Sequence, residues 1–271
     1  MQEPNFVCVG GAKYGCDFFT QGSNGKLVDA DTALSDISIP LCWAGSHKET
    51  LYKHCIENKR KFYNLDTGYF GNVKRKELIR VSINELQDQG PIVDRPRDRL
   101  QHLNVQVENF VRGETIVIVP PDEKISHVFK LPDSWLIDLQ TEITKYTNRP
   151  IRIRTRPQSR SLRLITDNFQ NFIKQDTYLV IGYSSNALVE SIIAGIPVIS
   201  LGHSATKSFS DYQLQDIESV PAVNQARREA WMRHLSYKQF TYQELSDGTA
   251  WKLLTAVPGS IGSGPKISTE L

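Results

Sequence analysis

The sequence predicts an α/β protein of two small units, each a parallel sheet with crossover helices, followed by a C-terminal helical segment. Three observations carry this. Short apolar runs of strand length recur at residues 6–11, 61–66, 114–121, 177–182 and 196–202. Segments with helical spacing stand between several of them. A polar stretch at 85–113, rich in Asp, Arg, Pro, Gln and Asn, divides the chain. The expected domains are therefore 1–112, 113–226, helices at 227–257 that pack back across both, and a mobile Gly, Ser and Pro-rich tail at 258–271.

In order, "FVCVGG" at 6–11 reads as a buried strand that turns sharply at paired glycines. "ISIPLCWAG" at 37–45 repeats the form, and Ser46 caps a predicted helix to about residue 58 with Leu51 and Cys55 inward. "KFYNLD" and "LIRVSIN" are the next strands, at 61–66 and 78–84. After the polar stretch, "ETIVIVPP" restarts the strand pattern, and Asp133 caps a helix carrying Leu136, Leu139, Ile143 and Tyr146. "PIRIRTRP" at 150–157, "TYLVIG" at 177–182 and "IPVISLG" at 196–202 complete the second sheet. Helical spacing at Ala230, Leu235 and Phe240 breaks near Thr241, and a short helix follows.

Composition is ordinary for a soluble domain, and a net charge of +2 is too small to announce a nucleic-acid binder. No apolar stretch approaches the roughly 18 residues of a membrane span, and the first residues lack the pattern of a signal peptide, so a cytoplasmic protein is expected. Cys8, Cys16, Cys42 and Cys55 show neither a CxxC pair nor histidines at zinc-ligand spacing. Reduced thiols and no metal are expected.

The most informative stretch is "YSSNALVESIIAGIPVIS" at 183–200. Ser184, Ser185 and Asn186 stand where an apolar strand gives way to a helix, with Glu190 about a turn further on. At the C-terminal end of a parallel strand, a helix start offers backbone N–H groups and the positive end of its dipole, which suits a phosphate or diphosphate. Glu190 can accept from ribose hydroxyls. The same residues are also common helix caps, and taken singly they say no more than that.

Arg149, Arg152, Arg154, Arg156, Arg160 and Arg163 crowd together. In a strand Arg152, Arg154 and Arg156 share one face, where they suit an anionic ligand or the charged edge of a sheet. Arg154 and Arg156 are candidate phosphate contacts. Asp66 ends a strand before Gly68, Tyr69 and Phe70, as a general base for an acceptor hydroxyl or as a turn-forming carboxylate. His47 and His203 follow strand ends and are further candidates, His47 for catalysis and His203 for ligand contact. Gly11, Lys13, Tyr14 and Tyr69 are expected on the acceptor side. "GGAKYG" lacks the GxGxxG spacing of a dinucleotide site.

The run from residue 152 to 202, with "SSNALVESIIAGIPVI" at its centre, resembles the C-terminal half of glycosyltransferases of the two-Rossmann, GT-B type. The wider set "FYNLDTGYFG", "LIRVSINELQ", "RPIRIRTRP" and "REAWMRHLSYKQFTYQELSDGTAW" resembles a family of phage and prophage proteins with GT-B-like folds. The resemblance implies Rossmann-like domains and a nucleotide-sugar co-substrate, a UDP-sugar being the expected one, with Ser184, Ser185 and Asn186 on its diphosphate and Glu190 on its ribose. The acceptor it suggests is a hydroxymethylated pyrimidine in phage DNA, to which basic runs at 53–61, 74–80 and 95–99 would add backbone contacts. Alternatives are a glycan or small-molecule acceptor, or an idle nucleotide-binding protein.

Overall fold

The computed structural model describes residues 3–10, 15–44, 48–71, 77–103, 105, 107, 112–155 and 169–256. In chain order the first part holds β1 (Val7–Val9), α1 (Cys16–Gly22), β2 (Lys26–Val28), α2 (Ala30–Ser35), β3 (Leu41–Ala44), α3 (Lys48–Glu57), β4 (Phe62–Thr67), β5 (Leu78–Ile83) and α4 (Asp98–His102). There follow β6 (Thr115–Val119), α5 (Glu123–Phe129), α6 (Trp135–Ile143), β7 (Ile151–Ile153), α7 (Phe169–Ile173), β8 (Thr177–Gly182), α8 (Asn186–Ile193) and β9 (Val198–Ser200). The last are α9 (Gln225–Ser236), β10 (Gln239–Thr241), α10 (Tyr242–Ser246) and α11 (Thr249–Thr255).

Two compact units emerge, one of residues 1–88, 92–105 and 230–271, the other of 89–91 and 106–229. In the first, the strand order is β10-β5-β4-β3-β1-β2. The four strands β1 to β4 run parallel, whereas β5 pairs antiparallel with both β4 and β10. The sheet is thus mixed where an all-parallel one was expected. The reason is local: only ten residues, 68–77, separate β4 from β5, and parallel pairing needs a crossover of a dozen or more residues.

One face of this sheet, with Cys8, Cys42, Tyr63, Leu65 and Val81, packs on Cys16 and Phe19 of α1, Leu245 of α10 and Ala250 of α11. Trp251 of α11 reaches Phe6 and Tyr63 at ring distances of 5.7 and 5.5 Å, so residues close to the C-terminal end complete a core begun at the other. All four cysteines are buried free thiols, and burial pushes Cys55 up to about 11.

Three differences from the sequence reading stand out in this unit. The span 15–35, for which nothing was predicted, folds as α1-β2-α2. The strand expected over 37–45 is confined to Leu41–Ala44, since Asp36 ties down Ser38 in a bend and Ile37 is exposed. Residues 239–241, read as the end of a helix, are a strand because they pair antiparallel with β5, Gln239 opposite Arg80 and Phe240 opposite Ile79.

That last strand is held by Arg99, which is fully buried. Its guanidinium donates to the Ser236 and Gln239 carbonyls at 3.0 and 2.9 Å and to the Glu244 carboxylate, which also closes a capping box with Thr241 at the start of α10. The Gln239 amide in turn holds the Tyr69 N–H and the Phe70 carbonyl. Removing one partner of such a pair strands the other charge. Arg99→Met is expected to lower unfolding free energy by about 3–5 kcal/mol in urea titration, and Arg99→Met with Glu244→Met to recover much of it.

A second buried cluster lies alongside. Burial alone would raise the Asp88 carboxyl, but the His234 hydrogen bond and the Lys238 charge outweigh it and hold Asp88 down to about 2. The ionised form is favoured in the fold, so this stability is present above the ordinary carboxylate range and is lost as pH falls from about 4 towards 2. Acid titration of stability is expected to show a loss of about 2 kcal/mol over that window, flattened in Asp88→Asn.

The second unit has strand order β7-β6-β8-β9, all parallel as expected. Ile116, Ile118, Leu179, Ile181 and Ile199 face Leu139 and Ile143 of α6 and Ile217. Of the strand predicted over 150–157, Ile151–Ile153 is a strand among the described residues, and 156 and 157 lie outside them. The tail at 258–271 lies outside the described residues.

Candidate functional site

The parallel strands of both sheets are ordered alike: the second strand, the first, the third, the fourth. In such a sheet the connections leave the first and third strands in opposite directions, and the crevice between their C-terminal ends is where a ligand fits. In the second unit that point lies between Val119 at the end of β6 and Gly182 at the end of β8. Glycine suits the close approach there. A Cβ on it would stand 3.1 Å from the Val119 carbonyl oxygen.

From Gly182 the chain passes through Tyr183 and Ser184 into α8. Ser185 is the N-cap, extended at φ −136° and ψ 144°, its hydroxyl accepting from the Ala187 N–H at 3.2 Å. Ser184 is buried, whereas Ser185, Asn186 and Ala187 are half-buried. Glu190 is also half-buried, one turn along. The inner face of α8, with Leu188, Val189, Ile192 and Ile193, is sealed in the unit. At the far end, the buried Arg228 donates to the Ile193 carbonyl at 3.1 Å, placing a cation at the negative end of the helix dipole.

Four rings gather at the same end of the sheet. Tyr183 meets Phe129, the last residue of α5, at 5.3 Å, and Trp135 at 6.5 Å. The His203 imidazole stacks on Phe129 at 4.7 Å and 19°. Burial lowers its pKa, and its Nδ1 lies 3.0 Å from the Gln89 side-chain nitrogen, as suits an acceptor. Phe129 and Trp135 were not singled out from the sequence. Nothing marks a helix-end phenylalanine as part of a site until the strand order is known.

The arginines divide. Arg152 Nη2 donates to the Phe172 and Gln175 carbonyls, with its guanidinium 4.0 Å from the Phe172 ring, so it serves packing. Arg154 follows the C-terminal end of β7, with its guanidinium 5.1 Å from the same ring and a hydrogen bond to its neighbour's carbonyl. Arg149 binds Glu114 and Glu218. Arg156 lies outside the described residues, as do Arg160, Arg163, Gly11, Lys13, Tyr14 and His47.

In the first unit Asp66 is the penultimate residue of β4, opposite Arg80, Nη2 to Oδ2 3.0 Å, and also accepts from the Thr67 N–H at 2.8 Å. Its side chain is 25 % exposed. Tyr69, expected at the acceptor, is instead interior: it is 3 % exposed, its phenol accepts from the Asp88 N–H, its ring lies 5.1 Å from the Arg80 guanidinium, and burial raises its pKa. The basic runs are similarly depleted. Arg60, Arg80 and Arg99 are all buried and bonded to protein, while residues 74–76 lie outside the described part. Among the described residues, no group of three His, Cys, Asp or Glu is placed to hold a metal ion, and no helix is long and apolar enough to cross a membrane.

Against solved structures, the chain is similar to Thermosulfurimonas dismutans KpsC, the beta Kdo 2,7 transferase, with TM-score 0.54 and 13 % identity over 88 % of this chain and 92 % of that one. The fold is GT-B-like. The beta Kdo 2,4 transferase of KpsC from the same organism gives TM-score 0.47 and 11 % identity over 86 % of this chain and 91 % of that one. No family model and no curated protein matches the sequence. The comparisons bring no support for the phage and prophage resemblance.

Gly202 sets the position of Tyr183, since a Cβ there would come within 2.5 Å of its ring. Gly202→Ala is expected to displace that ring. A crystal structure of the variant should show Tyr183 in a new rotamer, its ring no longer against Phe129.

Proposed function

We propose that the chain is a glycosyltransferase that takes a sugar from a nucleotide-sugar and delivers it to a hydroxyl. The observation that carries this reading is the start of α8, capped by Ser185, half-buried, and set at the strand-order switch of a parallel sheet. A phosphate there would receive the N–H groups of the first turn and the hydroxyl and amide of Ser184, Ser185 and Asn186. Arg154, at the C-terminal end of β7 on the other side of β6, would add a cation, and Glu190 would hold the ribose. The rings of Tyr183, Phe129 and His203 would wall the site. Charge on the departing phosphate would be met by these fixed donors rather than by a metal ion. The likeness to Kdo transferases supports the fold in which such a site occurs.

For the acceptor, the favoured reading is a glycan or small molecule, because the basic runs that suggested DNA place three arginines in the interior. Asp66 would take the hydroxyl proton, with Arg80 fixing its orientation.

The test is a thermal-shift panel of nucleotide-sugars carrying one or two phosphates, followed by mass spectrometry of the products. The expected result is stabilisation by one donor class, weakened about fivefold in affinity by Ser185→Ala, a loss near 1 kcal/mol. Asp66→Asn is expected to lower kcat by about 100-fold with nucleotide binding kept. Full turnover in Asp66→Asn would remove the base, and the absence of any nucleotide response would remove the enzyme.

A further inference from the structure

We propose that the α3-covered face of the first sheet encloses a small cluster of bound water, held by the Trp43 indole and the Asn64 side-chain amide and closed by the Ser82 hydroxyl. The proposal stands apart from the glycosyl-transfer reading.

Trp43, Asn64 and Ser82 are register partners across β3, β4 and β5. Residues paired in this way point to the same side of a sheet, here the side opposite Cys42, Tyr63 and Val81. On that side Trp43 meets Phe62 at a ring distance of 4.8 Å with the planes tilted by 31°, and Tyr52 of α3 meets Phe62 edge-on at 5.9 Å. Leu51 and Cys55, on the inner side of α3, are buried. Beyond Ser82 the face turns polar, with the Tyr69 phenol against the Ser82 hydroxyl and the Asp66–Arg80 pair next along the strands.

Trp43 and Asn64 are 0 % exposed and Ser82 is 2 % exposed. Yet Trp43 Nε1, Asn64 Oδ1 and Asn64 Nδ2 have no hydrogen-bonding partner from the protein. An asparagine amide has two donors and two acceptor sites, and a buried amide that makes none of these bonds is a large penalty for one residue. Native interiors meet such groups with protein or with ordered water.

A direct bond from Trp43 Nε1 to Asn64 Oδ1 would satisfy one donor and leave both Nδ2 protons. Two waters satisfy every one of these groups but a single Nδ2 proton. One molecule accepts from Trp43 Nε1 and donates to Asn64 Oδ1; a second accepts from Asn64 Nδ2 and donates to Ser82 Oγ. Each water then has at least two polar partners, with the first and second free to bond to one another, which is the pattern of structural water in folded domains. The cluster would lie one residue pair below Asp66 and Arg80, on the same face.

The test uses the full chain labelled with nitrogen-15. The Trp43 indole N–H resonance is assigned by its loss in Trp43→Phe. A cross-peak between that proton and water, of the sign given by a long-lived bound molecule, is expected; an indole proton with no water cross-peak would overturn the proposal. Asn64→Leu has nearly the same volume but no amide, and it is expected to abolish the cross-peak and lower the Tm by several degrees. An unchanged or raised Tm would mean that the amide lay dry and unsatisfied, and would also overturn it. If Asn64→Leu fails to fold, the wild-type spectrum still decides.

Discussion

The parallel pairing of β8 with β6 is the constraint on which the second unit depends. It brings the carbonyl of Val119 so close to residue 182 that only glycine fits comfortably. It also fixes where α8 begins. Because β7 and β9 lie on either side of this pair and run the same way, Arg154, the start of α8 and His203 all emerge at one end of one sheet. Chemistry follows from direction here. Antiparallel neighbours would send alternate loops to opposite ends.

The first unit applies the same strand order and then departs from it. Its fifth strand returns antiparallel, and the edge so created is covered by β10 from a distant part of the chain. Arg99 makes this cover durable, since one guanidinium bonds a carbonyl before β10, another within it and a carboxylate beyond it. Through Gln239 the same strand fixes the turn at Tyr69 and Phe70. Asp66, three residues before Tyr69, therefore stands on a rigid support.

Much of this was legible in the sequence where burial alone decides structure. The runs at 61–66, 78–84, 114–121, 177–182 and 196–202 are apolar enough to be strands in any setting, and the small polar residues after 182 mark a helix start. What escaped depends on partners distant in sequence. β2 is three largely exposed residues at an edge, and α1 is a seven-residue helix without a side-chain cap, so neither has a strong local pattern. Gln239–Thr241 is a strand only because β5 is beside it. Asp66 and Arg80 are fourteen residues apart, and their pairing requires the antiparallel register of β4 and β5. Tyr69 looked like a loop residue offered to ligand, but the Asp88 N–H and the Arg80 guanidinium draw it inside.

Residues 1–88, 92–105 and 230–271 belong to one unit, with nearly the whole of the other inserted before residue 230. During translation the inserted sheet has all four of its strands before β10, α10 and α11 have left the ribosome. The unit begun first is thus the last to close, and until then β5 waits with a bare edge and Phe6 with no indole against it. A nascent chain of this design has its greatest need of chaperone protection late, after the inserted sheet is already formed.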